Sequence, residues 1–505
     1  MKHIVKKLWW ENAAQMRKSA ENILQDVQEG VSQSVVISAM RSSSFNTTDE
    51  LIKIGKLLQS ATAQTVSVIR PKVQSIVQAL REFHRELIKQ DLSDVEDVQD
   101  AVLWVSKIEF DKFIVAVFWF LDRIEQKQSI IDPLQEDYTI PTTMTDDDAP
   151  AFSILGFWEV LSAKLFNTVV WELGKLQSSQ VSSVLLDTTQ LVNNLTWEKN
   201  VFERVANTFW KRVSKIVSGD AIAIIPWYIS GLPWGIEKAV GRGYSDATAA
   251  AVAVWARKAW YESQLDIQKS VVWLLSLDPK IAEEDISPRL IPTVNHTTAR
   301  EITWWAEAKL LHWQTLRKEV LDAGISIRLY DPFNTSSPGS LISSEWTDEK
   351  WVQFIGIKDI IQFSVSSTKM AWAWILATIF DKVKDYASVD AVSTSETEVS
   401  FTISKVFWES SNVEKIVHSI REALDIPQDT VTEFIKTSQK TLVYCIWQNI
   451  SHEIWILNKA TSALSTAGIN TEMASQWALE RAMVFSVDPK DGKKAANALH
   501  RALIS

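Results

Sequence analysis

"GRGYSDATAAAVAVWARKA", residues 241–259, is the stretch on which the fold of this chain turns. Its two glycines permit a tight turn, Ser245 and Asp246 supply cap chemistry, and the alanine-rich run that follows has strong helical propensity. Just before it, "AIAIIPWYIS" (221–230) is a continuous apolar run and reads as a buried strand. A buried strand feeding a glycine turn and a long helix is half of a βαβ unit.

The same alternation opens the chain. "HIVKKL" (3–8) reads as strand, "NAAQMRKSAENILQDV" (12–27) as helix and "SVVISAM" (34–40) as buried strand. "TTDELIKIGKLL" (47–58) opens with threonine and an acidic first turn, a helix start. Residues 60–135 read as mostly helical, "MTDDDAP" (144–150) as an acidic loop and "ILGFWEVLSAKLF" (154–166) as helix. "SQLDIQKSV" (263–271) and "ISIRLYD" (325–331) are further strands, and the α/β part is expected to close near "PGSLIS" (338–343). Alternating strands and helices predict a largely parallel sheet.

The last third repeats itself. "WILATIFDKVKDYASVDAVSTSE" (374–396) aligns with "WILNKATSALSTAGINTEMASQW" (455–477) at an offset of 81. Strands lead in at 360–365 and 441–447, strands follow at 398–404 and 481–487, and closing helices lie at 412–424 and 491–504. The order β-α-β-β-α-β is thus expected twice.

Composition narrows the function. A net charge of −10 gives no electrostatic ground for nucleic-acid or acidic-membrane binding. The longest apolar run, "FIVAVFWFL" (113–121), is far short of a spanning helix, and the start carries no stretch suited to a signal peptide. Cys445 is the single cysteine, so no internal disulfide is possible and a cytoplasmic, reducing setting is expected. The seven histidines and this cysteine show no metal-ligand spacing.

Two residue types are anomalous. Glycine occurs 14 times and tryptophan 24 times. Ordinary usage would give roughly 35 glycines, close to the sum of the two. The pair "WW" at 9–10 stands at a strand-to-helix turn, and Trp374 and Trp455 share one place in the repeat. Such turns ordinarily use glycine.

In this order the fragments resemble aspartate kinase (aspartokinase), an amino-acid kinase with C-terminal tandem ACT domains. "KKLWWEN" is similar to Lys-Phe-Gly-Gly-Thr-Ser, and "SVVISAMRSSSFNTTDELIKI" to the Ser-Ala…Thr-Asp/Asn-x-Leu segment. "ILGFWEVLSAKL" resembles Phe-Gly-Glu-x-x-Ser-Ala, and "GRGYSDATAA" the Gly-Arg-Gly-[Gly/Tyr]-[Ser/Thr]-Asp loop, the most specific of the set. "SVVWLLSLDPK" and "AKLLHWQTL" resemble the nucleotide segments, and "SVDAVSTSETEVS" and "QNISHEIWILNKA" the ACT units. Trp9, Trp10, Trp158, Trp273, Trp374, Trp447, Trp455 and Trp477 fall on family glycines. A gene in which UGA encodes glycine, rendered here as tryptophan, accounts for that pattern; a tryptophan-rich degenerate paralogue is the other reading. Thr-Ser is missing after Trp10, Val272 replaces an acid and Trp313 replaces proline.

The resemblance implies a three-layer αβα, carbamate-kinase-like domain at 1–345 with a helical insertion at about 60–150, then ferredoxin-like βαββαβ ACT units at 350–430 and 431–505. It implies transfer of the ATP γ-phosphoryl group, with Mg²⁺, to the side-chain carboxylate of L-aspartate. Lys7 and Asp246 carry the catalytic roles by this carry-over, although Lys7 is otherwise one of two ordinary lysines in a row and Asp246 a helix-capping residue. Ser38, Thr48, Glu159, Arg242 and Ser245 fall on the substrate side. Trp9, Trp10, Gly241, Gly243, Lys269, Asp278, Lys280 and Lys309 fall on the nucleotide side. An allosteric amino acid, lysine or threonine, is expected at Met370, Trp374, Ile375, Leu376, Ser388, Val389, Asp390, Ser395 and Glu396, with the two acids suited to a cationic side chain. ACT pairing implies a homo-oligomer. The alternative function is a catalytically impaired kinase fold that senses an amino acid.

Overall fold

The computed structural model of the chain describes residues 2–8, 15–38, 47–126, 149–177, 181–186, 221–226, 244–269, 273–305, 313–331, 337–345, 352–366, 374–404 apart from 385 and 396, 410–447, 453–476 and 481–504, with single positions at 213, 215, 311 and 450. They gather into two compact units: residues 1–272 with 311–344, and residues 273–310 with 345–505.

The first unit is built on β1 (Lys2–Leu8), α1 (Gln15–Gln28), β2 (Ser32–Ile37) and α2 (Thr47–Gln59), followed by two long helices, α3 (Val66–Asp91) and α4 (Glu96–Glu125). Then come α5 (Ala149–Leu176), β3 (Ser182–Leu185), β4 (Ala221–Pro226), α6 (Tyr244–Lys258) and β5 (Glu262–Gln268). After β6 (Leu274–Leu275), β7 (Leu290–Ile291), β8 (Thr293–Asn295) and α7 (His296–Trp305) the chain re-enters this unit through β9 (Ser326–Tyr330) and β10 (Leu341–Ser343). Within the unit the sheet order is β3-β4-β2-β1-β5-β9-β10. Pairing is parallel from β3 through β9 and antiparallel only at β10.

A parallel sheet must be covered on both faces. On one face Leu8, Val35, Ile37 and Ile224 join a single core with α1 to α5, and that core includes Phe110 of α4 and Phe166 of α5. The described helices α3 and α4 of the insertion expected at about 60–150 are therefore part of the main core of this unit. On the other face α6 packs against β1, β2 and β5. Its buried Ala247, Ala250 and Ala251 let the helix axis approach the sheet closely. Of the expected strands 34–40 and 221–230, β2 (to Ile37) and β4 (to Pro226) are described, and residues 39–40 and 227–230 lie outside the described residues.

The second unit, which also holds the two-stranded pair β6-β7, is built on a six-stranded antiparallel sheet. Its strands are β11 (Phe354–Ser366), β12 (Val389–Thr394), β13 (Glu398–Ser404), β14 (Ile435–Ile446), β15 (Met473–Gln476) and β16 (Ala482–Val487), in the order β12-β13-β11-β14-β16-β15. Helices α8 (Ile375–Val383), α9 (Ser410–Leu424), α10 (Ile456–Thr466) and α11 (Gly492–Leu503) supply the covering layer. The expected second β-α-β-β-α-β run has only three strands of its own. Its fourth is the front half of β11, which pairs with β14 from Phe354↔Ile446 onward. Read from either end the sheet gives the ferredoxin-like order, with β11 and β14 each serving as first strand of one half and last strand of the other. Two cores reflect this sharing. Ile361, Phe363 and Val365 of β11 pack under α8 and α9, whereas Ile355 joins Val443, Phe485 and Leu499 beneath α10 and α11. Residues 273–310, read from sequence as kinase domain, cluster with this unit because Leu277 enters the second of these cores.

Backbone conformation bears on the tryptophan surplus. Among the described residues, three non-glycines have positive φ: Trp260 (70°), Trp374 (76°) and Asp425 (57°). Helix α6 ends in a Schellman motif, with Tyr261 N–H donating to Ala256 O and Trp260 N–H to Arg257 O, both at 3.1 Å. Gly30, Gly324 and Gly468 hold the same place in the same two-bond pattern. The Trp260 side chain is 94% exposed, so its indole gains no packing to offset the left-handed strain. Trp374 is likewise 82% exposed at the start of α8. Its repeat partner Trp455 has φ −93°, and Trp447 is fully buried in the core, so these two need no glycine backbone here. Trp260→Gly is expected to raise the unfolding free energy by about 1 kcal/mol, with Trp260→Ala near neutral, in urea denaturation. A Gly variant no more stable than the Ala variant would remove the strain argument.

Candidate active site

Period-2 alternation sends the two lysines of β1 to opposite faces of the sheet. Lys6 pairs with Asp26 of α1. Lys7 Nζ lies 3.1 Å from Asp246 Oδ1. Neither lysine is a solvated surface residue: Lys6 is 6% and Lys7 4% exposed. Asp246 is the third residue of α6, where the helix dipole favours an anion. Its other oxygen, Oδ2, accepts from Lys269 Nζ at 3.3 Å. Lys269 directly follows β5, and its N–H donates to Tyr330 O at 3.1 Å, which fixes where the side chain begins.

Burial pushes the Asp246 carboxyl upward, but the charges of Lys7 and Lys269 outweigh it and hold the group at about 2. Asp246 is thus a carboxylate at every working pH. Lys7 and Lys269 thus converge on one carboxylate, with Lys7 and Asp246 nearly sealed from water and Lys269 half-buried. Lys7 is the penultimate residue of β1, Ser38 is the first residue past β2, and Lys269 the first past β5. All three stand at the carboxyl ends of adjacent parallel strands, where open α/β sheets bind ligands.

Other expected residues fall as follows. Ser38 is half-buried, and its N–H reaches Leu8 O at 3.3 Å. Ser245 is buried next to Asp246. Thr48 is the second residue of α2, and Glu159 lies within α5. Trp9, Trp10, Gly241, Arg242, Gly243, Lys309, Met370 and Glu396 lie outside the described residues. Asp278 and Lys280 sit on an exposed turn of the second unit, where Lys280 N–H donates to Asp278 Oδ1 at 2.9 Å.

On the regulatory side, Ile375 and Leu376 are half-buried in the first turn of α8, Ser388 is exposed and Val389 half-buried at β12. Ser395 N–H closes the following turn on Glu398 O at 2.8 Å. Asp390, expected to meet a ligand's cation, accepts from Lys358 Nζ of β11 at 3.0 Å, and both side chains are 6% exposed. The sequence reading missed Lys358. Its signal was a lone lysine inside the apolar run "FIGIKDII" (354–361).

Comparison with known proteins agrees with this layout. A sequence profile of the ACT domain matches residues 448–503. Aspartokinase 1, chloroplastic, of Arabidopsis thaliana is 23% identical over 498 residues, covering 97% of this chain and 78% of the relative. Aspartokinase 2 of the same plant is 24% identical, over 69% of this chain and 63% of its own length. Among solved structures, the aspartate kinase of Clostridium acetobutylicum matches with a TM-score of 0.66 at 16% identity, covering 99% of both chains. E. coli aspartokinase III in complex with aspartate and ADP matches at 0.65 and 16%, over the whole of both. The chain is similar to aspartokinases along nearly its whole length and shares the fold of the solved aspartate kinases.

The central carboxylate should carry more stability than either lysine. Asp246→Asn takes the carboxylate from buried Lys7 and half-buried Lys269 and is expected to cost about 3–5 kcal/mol. Lys7→Met should cost less, because Lys269 still faces the acid. The folded carboxyl lies below its ordinary 3.8, so its stabilisation is in place above that pH and fades as the pH falls towards 2. Urea melts between pH 3 and 7 check both points; equal losses for the two variants would contradict the shared-anion arrangement.

Proposed function

We propose that this chain is an aspartate kinase: it moves the γ-phosphoryl group of ATP onto the side-chain carboxylate of L-aspartate, yielding 4-phospho-L-aspartate and ADP. The observation that carries this reading is the buried Lys7–Asp246–Lys269 cluster at the carboxyl edge of the sheet, in a chain homologous to aspartokinases almost throughout. Both reactants are anions, so the work of the site is to gather like charges and steady the transfer. The attacking carboxylate is already ionised, and no strong base is needed. Lys7 would lie beside the transferred group, and Asp246 would hold Lys7 and Lys269 at fixed separation so that neither collapses onto a phosphate oxygen early. Arg242 suits the substrate α-carboxylate through its two-pronged guanidinium, and Glu159 suits the ammonium. Ser38, Thr48 and Ser245 offer hydroxyls on the substrate side. Gly241 and Gly243, and the backbone at 9–10, would present N–H groups to phosphate, with Lys280 and Lys309 on the nucleotide side and Asp278 shaping the turn.

Mg²⁺ enters with the nucleotide, held largely by phosphate oxygens and water. Among the described residues no group of three or more His, Cys, Asp or Glu side chains is placed to hold a metal by itself. The product is an acyl phosphate, the activated form from which amino-acid biosynthesis towards lysine, threonine and methionine proceeds. The ACT half would bind an amino acid, lysine or threonine, as feedback signal, and pair with a second copy of the chain. A cytoplasmic setting is in keeping with the lone, buried Cys445. No described helix is long and apolar enough to cross a membrane.

Purified protein with ATP, Mg²⁺, aspartate and hydroxylamine should form aspartyl hydroxamate. Arg242→Ala should raise the KM for aspartate by roughly tenfold or more, from loss of a charge-assisted pair, with little change for ATP. No hydroxamate under any condition, together with retained amino-acid binding, would reduce the chain to a sensor.

A further inference from the structure

On the face of the first unit's sheet opposite Lys7, a row of charge stands where a parallel sheet ordinarily carries aliphatic side chains. The register sets Lys6 of β1 beside Asp266 of β5, and Asp266 beside Arg328 of β9. Asp266 is fully buried. Both cations of the row are committed to acids. Lys6 pairs with Asp26 of α1, whose Oδ2 also accepts from Gln33 Nε2 at 2.7 Å. Arg328 donates to both oxygens of Asp266, with Nε–Oδ1 at 3.3 Å. Gln264 Nε2 donates to the same carboxylate at 2.5 Å.

Beside this row opens a cleft of about 320 Å³, room for a small ligand. Lys6 and Arg328 line it from the sheet, Ser19, Asp26 and Glu29 from α1, and Asp331 and Ser337 from the chain that follows β9. Two of its hydroxyls are left without a bond. Ser19 is 2% exposed, and its Oγ has no hydrogen-bond partner among the described residues. Ser337 Oγ is sealed from water and unpaired in the same way. A helical serine ordinarily turns back to the carbonyl of the preceding turn, and a buried polar group left unpaired is costly and uncommon. The sign of the charge is as telling. Beyond the two ion pairs, the charged side chains lining the cleft are Glu29 and Asp331, both acids. With Asp26 and Asp266 that makes four carboxylates against Lys6 and Arg328, a formal −2. Burial first, then the charges of Asp266, Asp26 and Asp331, push the Tyr330 phenol up against the opposing Arg328, so the field in the cleft favours positive charge.

We propose that this cleft binds a small organic cation, an aliphatic amine whose ammonium is drawn by Glu29 and Asp331 and donates to the Ser19 and Ser337 hydroxyls. Among the described residues no three His, Cys, Asp or Glu side chains are placed to hold a metal, and the hydroxyls suit an N–H donor better than a bare ion. The site is separate from the Lys7–Asp246–Lys269 cluster, on the other face of the same sheet, and it does not depend on which reaction that cluster performs.

The test is calorimetric titration of the full chain with 1,4-diaminobutane at low salt, with succinate and MgCl₂ as the opposite-charge and metal comparisons. The diamine should bind saturably and more tightly than either, and added salt should weaken it. The double variant Glu29→Gln, Asp331→Asn should raise its Kd roughly tenfold or more, the loss of charge-assisted bonds, while melting like the parent. Ser19→Ala removes a hydroxyl that has no partner in the fold, so the melting temperature should not drop, yet the Kd should rise several-fold. No saturable binding of the diamine, succinate or Mg²⁺ binding as tightly, or an unchanged Kd in either variant overturns the site.

Discussion

An anion with almost no water around it, gripped by two ammonium groups, is the constraint on which the first unit is organised. Asp246 is 3% exposed and both its oxygens face lysines. Such a group is tolerable only if the cations arrive at fixed points, and three separate elements deliver them: β1 brings Lys7, the exit of β5 brings Lys269, and the first turn of α6 brings the acid. The small side chains of α6 and the parallel register Lys7↔Ile267 both serve that convergence. A slip of β1 by one residue would send Lys7 to the α1 face and bring Lys6 or Leu8, according to its direction, to the face of the acid.

Much of this was legible beforehand, for physical reasons. Continuous apolar runs alternating with helices are the mark of a parallel sheet, and the alanine-rich run after "GRGYSDATAA" announced the helix that is described from Tyr244. The choice of Lys7 and Asp246 followed from family resemblance alone, because nothing local distinguishes the second of two adjacent lysines, and their pairing is seen only in the structure. What resolves them is the pleat, which gives each its own aspartate. Lys358 escaped notice for a related reason: its partner Asp390 lies 32 positions away on a strand not adjacent to its own. The repeat at 374–396 and 455–477 was visible as sequence, but the sharing of β11 and β14 was not. Strand exchange between two halves leaves no periodic trace, since each strand is merely longer than usual.

The tryptophans divide along the same line. Trp447 behaves as a core residue should, whereas Trp260 and Trp374 expose their rings and place their backbones where a β-carbon is unwelcome. Composition alone could flag the surplus. Only dihedral angles separate the residues that fit tryptophan from those whose backbone asks for glycine.

The shared strands have a bearing on how the molecule is born. Residues 354–358 of β11 emerge from the ribosome some eighty residues ahead of β14, with which they must pair, and well before α11, which must roof them. During that interval a hydrophobic strand waits with an open edge, the kind of surface that recruits unwanted neighbours. Closure of the second half-sheet is a late event of synthesis, and slow translation or a truncated message would leave that edge bare.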